Sequence, residues 1–132
     1  MSSSIEVVLR FEDHINAHHV EEICALMASD GEFIDSLGNR IQGQAKLRSA
    51  WEGYFKMVPD YSISHSEIFA YGDTVAIFGS AQGTLSRNGR LSKENFWKTP
   101  AAWQAVIKDS KIAIWQVYAD NEPIRALMRK SS

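Results

Sequence analysis

Residues 32–39, EFIDSLGN, place the acidic side chain of Asp35 between an apolar pair and a turn built on Gly38 and Asn39. Two kinds of chemistry fit this pattern. A carboxylate that faces an apolar interior is partly desolvated, which raises its pKa and makes it a stronger base toward a substrate C–H. A carboxylate just before a turn also accepts hydrogen bonds from the backbone N–H groups of residues 37 and 38, as in an Asx turn. The sequence leaves both roles open for Asp35.

Three further polar side chains are candidates for a chemical role. Two-residue alternation along its predicted strand brings His65 either into a cavity, where a neutral imidazole donates a hydrogen bond or shuttles a proton, or to an outward position. Gln104 offers a neutral amide to a ligand carbonyl. Asp120 is out of phase with the strand that precedes it, so it points away from the cone or lies at its rim, which favours a cap on the last helix.

Histidine and cysteine positions give little support for a metal or a cofactor. His14 and His18 are four residues apart on a predicted helix, but no third ligand is evident, so a solvated helix flank is favoured over a shared metal ion. Cys24 is the only cysteine, which excludes an intrachain disulfide and a thiolate zinc cluster. Its place on an apolar helical stripe favours a core position over a nucleophile. We therefore predict no metal and no cofactor.

Composition and charge predict a single globular domain over residues 1–132. The chain has 45% hydrophobic and 23% charged residues, which is typical of one packed core. The net charge is −2 and the longest basic run is Arg129-Lys130, so nucleic acid is not an expected partner. The first residues, MSSSIEVVLR, lack a positively charged start followed by an apolar stretch, so we expect no signal peptide, no membrane span and a cytoplasmic location.

Hydrophobic periodicity predicts the elements that position these side chains. Apolar residues recur at helical spacing over residues 5–17, 20–28, 44–58 and 123–129. A period of two predicts a short strand over residues 32–36 and longer strands over residues 61–70, 74–85, 101–108 and 112–119. Because turn residues join the last four strands, we expect an antiparallel meander. The order predicts an α+β fold in which helices cover one face of a curved, mostly antiparallel sheet.

A sheet that curls around a long helix leaves a cone, and large apolar side chains are the candidates to line it. They are Phe11, Trp51, Phe55, Trp97 and Trp115. These rings either form a pocket for a small, largely apolar, ring-bearing molecule or simply fill the core. On the sheet, Trp103 and Tyr118 have the opposite parity, and exposed aromatic side chains on an open sheet indicate a partner surface.

The segment over residues 86–99 carries four basic side chains and one acidic one. It predicts either a mobile lid that favours an anionic ligand or a solvated hairpin tip. The sequence does not choose between these two roles.

The element order, together with LRFEDHINAHH, MASDGEFIDSLGNRIQG and KIAIWQVYADNEPIRALM, resembles the nuclear transport factor 2-like superfamily and, within it, the SnoaL-like and ketosteroid-isomerase-like branch. The resemblance covers roughly the whole chain. It implies a cone-shaped, cystatin-like α+β roll and a homodimer packed through the sheet face that carries Trp103 and Tyr118. Ketosteroid isomerases have their general base in a D-x-x-G segment before a turn, which implies that role for Asp35, three residues before Gly38.

At other positions this sequence lacks residues that enzymes of this superfamily use for catalysis. Where ketosteroid isomerases stabilise the dienolate with a tyrosine and a protonated aspartic acid, the resemblance places Phe11 and Ala102. Because one oxyanion donor contributes about 3 to 4 kcal/mol, steroid isomerisation is not expected. Val117 stands where limonene epoxide hydrolases have an aspartate. SnoaL-like cyclases rely on a single aspartate, for which Asp120 is the reserve candidate.

Two functional hypotheses follow from the residues and the resemblance. One is a cofactor-free isomerase, cyclase or lyase that uses Asp35 as general base, with His65 or Gln104 as polar helpers. The other is a non-catalytic ligand-binding or dimerisation module in which Asp35 only shapes its turn.

Overall fold

The first two helices pack against each other at one end of the chain in the computed structural model, which describes residues 3–130. Helix α1 spans Ser4–Ala17 and begins at Ser3, whose hydroxyl oxygen accepts a hydrogen bond from the N–H of Glu6 at 3.1 Å. The helix ends where His18 takes a left-handed conformation with φ 59°. Helix α2, Val20–Leu26, follows directly and ends two residues before the predicted limit of residue 28.

Helix α3, Gln44–Met57, is the long helix that the sheet wraps. Its buried residues Leu47, Trp51 and Phe55 recur every four positions, which confirms the predicted apolar stripe. Gly43 comes just before the helix with φ 98°, a conformation that few other residues adopt.

A six-stranded mixed sheet forms the other layer, in the order β2-β1-β6-β5-β4-β3. Strands β3, β4, β5 and β6 pair antiparallel in sequence order, so the predicted meander is confirmed. Strand β1 pairs parallel to β6 and antiparallel to β2. The strands are β1 Met27–Ile34, β2 Arg40–Gln42, β3 Ser62–Tyr71, β4 Thr74–Thr84, β5 Phe96–Lys108 and β6 Lys111–Ala119.

Two strands start five residues earlier than the sequence-based prediction, and one further strand was not predicted. Strand β1 starts at residue 27 instead of 32, because residues at both of its ends pair with β6 across a register shift. Strand β5 starts at residue 96 instead of 101, because its first residues pair with the end of β4. The predicted loop over residues 86–99 therefore contains four strand residues. The three-residue strand β2 was not predicted, since a strand this short carries too few alternations to be recognised.

The chain closes with helix α4, Glu122–Arg129, which has a proline in its first turn as predicted. The apolar core lies between the concave face of the sheet and the helices, and it includes Phe11, Trp51 and Trp115. This arrangement confirms the predicted α+β class. No helix within residues 3–130 is long and apolar enough to span a membrane.

Candidate functional site

A cavity of about 310 Å³ opens between α3 and the concave face of the sheet. Its aromatic lining consists of Phe33, Trp51, Tyr54, Tyr61, Trp97, Trp103 and Trp115. The polar side chains in its wall are Asp35, Ser36, Thr99 and Asn121. Aliphatic residues, among them Val117, complete it. A volume of this size is at the lower end of the range for small-molecule sites.

Asp35 lines the cavity and also shapes the turn behind it. Its Oδ1 accepts hydrogen bonds from the backbone N–H groups of Leu37 and Asn39, each at 2.9 Å, and its Oδ2 accepts one from the Asn39 side-chain amide at 3.1 Å. Burial raises the pKa of Asp35, but the hydrogen bonds from Asn39, Leu37 and Gly38 together lower it below its ordinary value of 3.8. The predicted rise in this pKa is therefore wrong, and the carboxylate is ionised at neutral pH.

The polar wall continues from Asp35 to Asn121, the residue just before α4. The side-chain amide of Asn121 donates a hydrogen bond to the Ser36 hydroxyl, so two distant chain segments meet at the cavity. Asp120 lies beside this contact but is exposed. Its Oδ1 accepts a hydrogen bond at 2.9 Å from the N–H of Glu122, the first residue of α4, so Asp120 satisfies a helix-terminal donor although the cap residue itself is Asn121. Asp120 is not part of the cavity lining, whereas Asn121 is.

The aromatic candidates divide into a wall and a layer behind it. Trp51, Trp97 and Trp115 line the cavity as predicted, whereas Phe11 and Phe55 do not. Phe11 is fully buried, with its ring centroid 4.8 Å from that of Trp115. Phe55 stacks on His18 at 4.0 Å. Both phenylalanines therefore support the wall from behind.

The predicted facing of strand β5 is wrong. Trp103, which was expected on the outer face, is 3% exposed and lines the cavity. Ala102 and Gln104 occupy the alternate positions and face away from the cavity, and Gln104 accepts a hydrogen bond from the exposed Tyr118 hydroxyl at 3.4 Å. The inward positions of β5 carry no acid, so the second oxyanion donor of a ketosteroid isomerase is still missing.

One extra residue in β6 explains why the side chains of β5 face opposite to the prediction. Near the turn, Lys108 is opposite Lys111 and Ile107 opposite Ile112, but Val106 is opposite Ile114, which leaves Ala113 without a partner. Without this bulge, the short turn would set Gln104 and Ala102 opposite the inward Trp115 and Val117. A signal for the correct facing is present in the sequence, because Trp97, Thr99, Ala101 and Trp103 alternate without a break if β5 begins at residue 96.

His65 is placed outside the cavity, where it pairs with a buried acid that the sequence analysis missed. Its Nδ1 lies 2.7 Å from Oε1 of Glu12, a residue of α1 that is only 5% exposed. Burial raises the pKa of Glu12 above its ordinary value, although the hydrogen bond and charge of His65 lower it in part. The bulge in β3 falls after His65, so His65 keeps the facing of Ile63, but its ring lies against α1 and does not reach the cavity.

The residues weighed as metal ligands have structural roles in the part of the chain that the structure describes. The His18 ring stacks on Phe55, and its Nε2 lies 2.7 Å from the carbonyl oxygen of Tyr61. Cys24 is buried, and burial raises the pKa of its thiol, which makes it a poor nucleophile. Within residues 3–130 no three acidic, histidine or cysteine side chains come together as a metal site.

Comparison with known proteins places this architecture among relatives. The SnoaL-like domain family matches residues 8–121. A proposed SnoaL-like polyketide cyclase from Shewanella putrefaciens CN-32 has a similar structure, with a TM-score of 0.82, 12% identity and coverage of 98% of both chains. A protein of ketosteroid isomerase-like fold from Catenulispora acidiphila DSM 44928, in complex with trimethylamine, has a TM-score of 0.79 at 18% identity, covering 92% of this chain and 90% of its own.

A third similar structure is TerC co-crystallised with polyporic acid, with a TM-score of 0.79, 18% identity and coverage of 97% of this chain and 99% of TerC. No curated protein sequence matches the chain significantly. At these identities the structural matches establish a shared fold.

Proposed function

Because this chain belongs to the SnoaL-like domain family, we propose that its cavity binds a small, largely apolar, ring-bearing organic molecule and acts on it as a cofactor-free isomerase, cyclase or lyase. The observation that carries the proposal is Asp35. Among the described residues, Asp35 is the only charged side chain in the lining of the cavity. The co-crystallisation of TerC with polyporic acid supports a small organic ligand for this fold.

The role proposed for Asp35 is to accept a proton from a C–H bond that the substrate itself makes acidic. Its low pKa keeps the carboxylate ionised and ready to accept a proton, but also makes it a weaker base than a desolvated aspartate. Such a base suits hydrogens adjacent to a ketone, because a carbonyl lowers the barrier to their removal. Steroid isomerisation in the manner of ketosteroid isomerases is not proposed, since Phe11 lies behind the wall and β5 presents no inward acid.

Proton abstraction is tested with 2-tetralone, a bicyclic ketone with acidic hydrogens at C1. In D₂O, the wild-type protein is expected to accelerate exchange of the C1 hydrogens for deuterium, followed by proton NMR. Asp35→Asn keeps the Oδ1 acceptor of the two backbone N–H groups, loses the Oδ2 acceptor of the Asn39 side-chain amide and removes the charge, so exchange should fall to the uncatalysed rate. Asp120→Asn examines the other predicted carboxylate, and Asp109→Asn in the β5–β6 turn is the matched control. Equal exchange by the wild type and Asp35→Asn contradicts the catalytic role.

A second candidate function is non-catalytic ligand binding by the same cavity. The observation that favours it is that both carboxylate oxygens of Asp35 already accept hydrogen bonds from the turn. A binding protein would hold the ligand with the aromatic wall, and Asp35 would only fix the rim. In that case Asp35→Asn changes neither exchange nor the affinity for 2-tetralone measured by isothermal titration calorimetry.

We further propose that the outer face of the sheet forms a homodimer, as the family resemblance implies. Phe78, Ala102 and Tyr118 lie opposite one another across β4, β5 and β6, and Phe69 packs near Phe78. The exposed fractions of Phe69, Phe78 and Tyr118 are 55%, 46% and 52%, which leaves an apolar patch for a second copy to cover. Trp103, which the sequence placed on this face, is buried and takes no part.

Sedimentation analysis tests the dimer. Phe78→Glu should shift the protein to a monomer, because the charge would be buried in the interface. Leu91→Glu replaces an equally exposed apolar residue away from the sheet and should leave the dimer intact. A wild-type protein that is monomeric at high micromolar concentration contradicts the proposal.

A further inference from the structure

Two tyrosines in the cavity wall have hydroxyl groups without a protein partner. Tyr54 comes from α3 and Tyr61 directly precedes β3, and their rings meet edge to face with centroids 4.8 Å apart. Within residues 3–130 no hydrogen bond to either hydroxyl is formed. Burial raises the pKa of both phenols above the ordinary value of 10, so both remain neutral O–H donors at physiological pH.

These hydroxyls are deep in the protein but are not sealed off. In the part of the chain that the structure describes, the fully enclosed side-chain polar atoms without a partner are Glu12 Oε2 and Trp97 Nε1. The hydroxyls of Tyr54 and Tyr61 are not among them, so each retains accessible surface, and both residues belong to the cavity lining. The cavity that both residues line is an open space beside these donors.

The other polar groups of the wall do not satisfy these donors. Both carboxylate oxygens of Asp35 accept hydrogen bonds from its own turn. The Thr99 hydroxyl donates to the carbonyl oxygen of Asp120 at 3.2 Å. The Ser36 hydroxyl accepts from Asn121. An apolar ligand would displace water from the two tyrosine hydroxyls without forming hydrogen bonds in its place. A ligand with an acceptor oxygen would replace the hydrogen bonds to water.

We infer that Tyr54 and Tyr61 form the subsite for a ligand oxygen, and that the molecule bound in this cavity is a ring ketone or quinone whose carbonyl accepts their hydrogen bonds. This inference rests on the proposed ligand-binding function and names its substrate class. It also supplies donors for a developing enolate oxygen, a role for which Phe11 and the inward face of β5 offer no group.

Helix α1 fixes the backbone that carries this subsite. The side chain of Asn16 donates to the carbonyl of Ile63 at 3.0 Å and accepts from its N–H at 2.8 Å. His18 contacts the carbonyl of Tyr61. Because these contacts hold the start of β3 on both sides of residue 62, the ring of Tyr61 projects from a fixed piece of backbone, which favours a specific ligand geometry.

The test compares two probes of nearly equal shape, 2-tetralone and tetralin, where tetralin lacks the carbonyl. Binding is followed by isothermal titration calorimetry and by quenching of the tryptophan fluorescence of the cavity wall. The wild type should bind 2-tetralone more tightly than tetralin. Tyr61→Phe and Tyr54→Phe should each weaken 2-tetralone binding about fivefold, as expected for one hydrogen bond, and leave tetralin binding unchanged. The double variant should lose the preference, and Tyr71→Phe, at an exposed tyrosine outside the cavity, is the matched control.

The outcomes separate this inference from the proposed function. If the double variant keeps the wild-type preference for 2-tetralone, the inference is wrong, while ligand binding by the cavity stands. If the wild type binds tetralin and 2-tetralone equally, the inference is also wrong. If the wild type binds neither probe, both the inference and the proposed function are overturned.

Discussion

Asn16 is expected to be one of the most sensitive polar positions in this protein. Strand β3 is an edge strand, and edge strands have backbone groups without a neighbouring strand. At Ile63, which is 4% exposed, the Asn16 amide supplies both missing partners at 3.0 and 2.8 Å. A single side chain on α1 thus acts in the place of a seventh strand at this residue.

Asn16→Ala removes both hydrogen bonds and leaves a buried N–H and a buried C=O unpaired. At about 1 to 3 kcal/mol for each of the two unsatisfied groups, the free energy of unfolding should fall by roughly 2 to 6 kcal/mol. Urea denaturation followed by tryptophan fluorescence measures this loss. The affinity for 2-tetralone should also fall, because Tyr61 and Ile63 both line the cavity.

Asn16→Asp is the informative control for this prediction. The aspartate keeps an acceptor for the Ile63 N–H but sets a carboxylate oxygen against the Ile63 carbonyl oxygen, so it should destabilise the protein although its shape is almost unchanged. A loss below about 1 kcal/mol for Asn16→Ala refutes the reasoning, because it means that water satisfies the Ile63 groups without a penalty.

Three further predictions concern the strands and the buried charges. Gly79→Ala should destabilise the fold by about 3 kcal/mol or more in thermal unfolding, because the added Cβ would lie 1.9 Å from the Ser64 carbonyl oxygen in the neighbouring strand. A small loss of stability contradicts this close approach of the two strands. For Glu12 the folded pKa is raised, so the free energy of unfolding of the wild type should decline as pH rises above 4.5. Glu12→Gln can still pair with His65 and should become more stable than the wild type over that range. Parallel pH profiles of the two proteins in urea denaturation argue against a buried ionisable role for Glu12. For Asp35 the folded pKa is lowered, so its contribution to stability should be full above pH 3.8 and be lost as pH falls further. Asp35→Asn should abolish this loss of stability in acid titrations followed by circular dichroism.

Much of the architecture could be predicted from local patterns. The apolar stripe of α3 and the alternation of the last four strands identified the long helix and the meander, because these periods depend only on which side of one element is buried. The same patterns, with the resemblance to SnoaL-like proteins, placed Asp35 and three tryptophans at the cavity. They also indicated the turn geometry in which Asp35 accepts hydrogen bonds.

The misplaced side chains of β5 have one cause, which is a change of register in β6. Ala113 is an extra residue in β6, and the hairpin around residues 109 and 110 then brings Trp103 inside and sends Gln104 outside. His65 has a different cause, because its register with β4 is continuous from Ile63 and its ring pairs with Glu12 of α1 instead of reaching the cavity. A bulge has no distinctive composition here, so nothing in the residues around it announces the change of face.

The sequence by itself determined the class of the fold, the family resemblance and the presence of an acid before a tight turn, because each depends on residue type and spacing along a short stretch of chain. Only the tertiary structure decided the low pKa of Asp35, the pairing of Glu12 with His65, and the meeting of Tyr54 and Tyr61 at one cavity. These features depend on burial and on contacts between distant segments. Whether a hydroxyl has a hydrogen-bond partner, and how far a carboxylate is desolvated, depend on all the groups packed around it. Local periodicity carries no information about those neighbours.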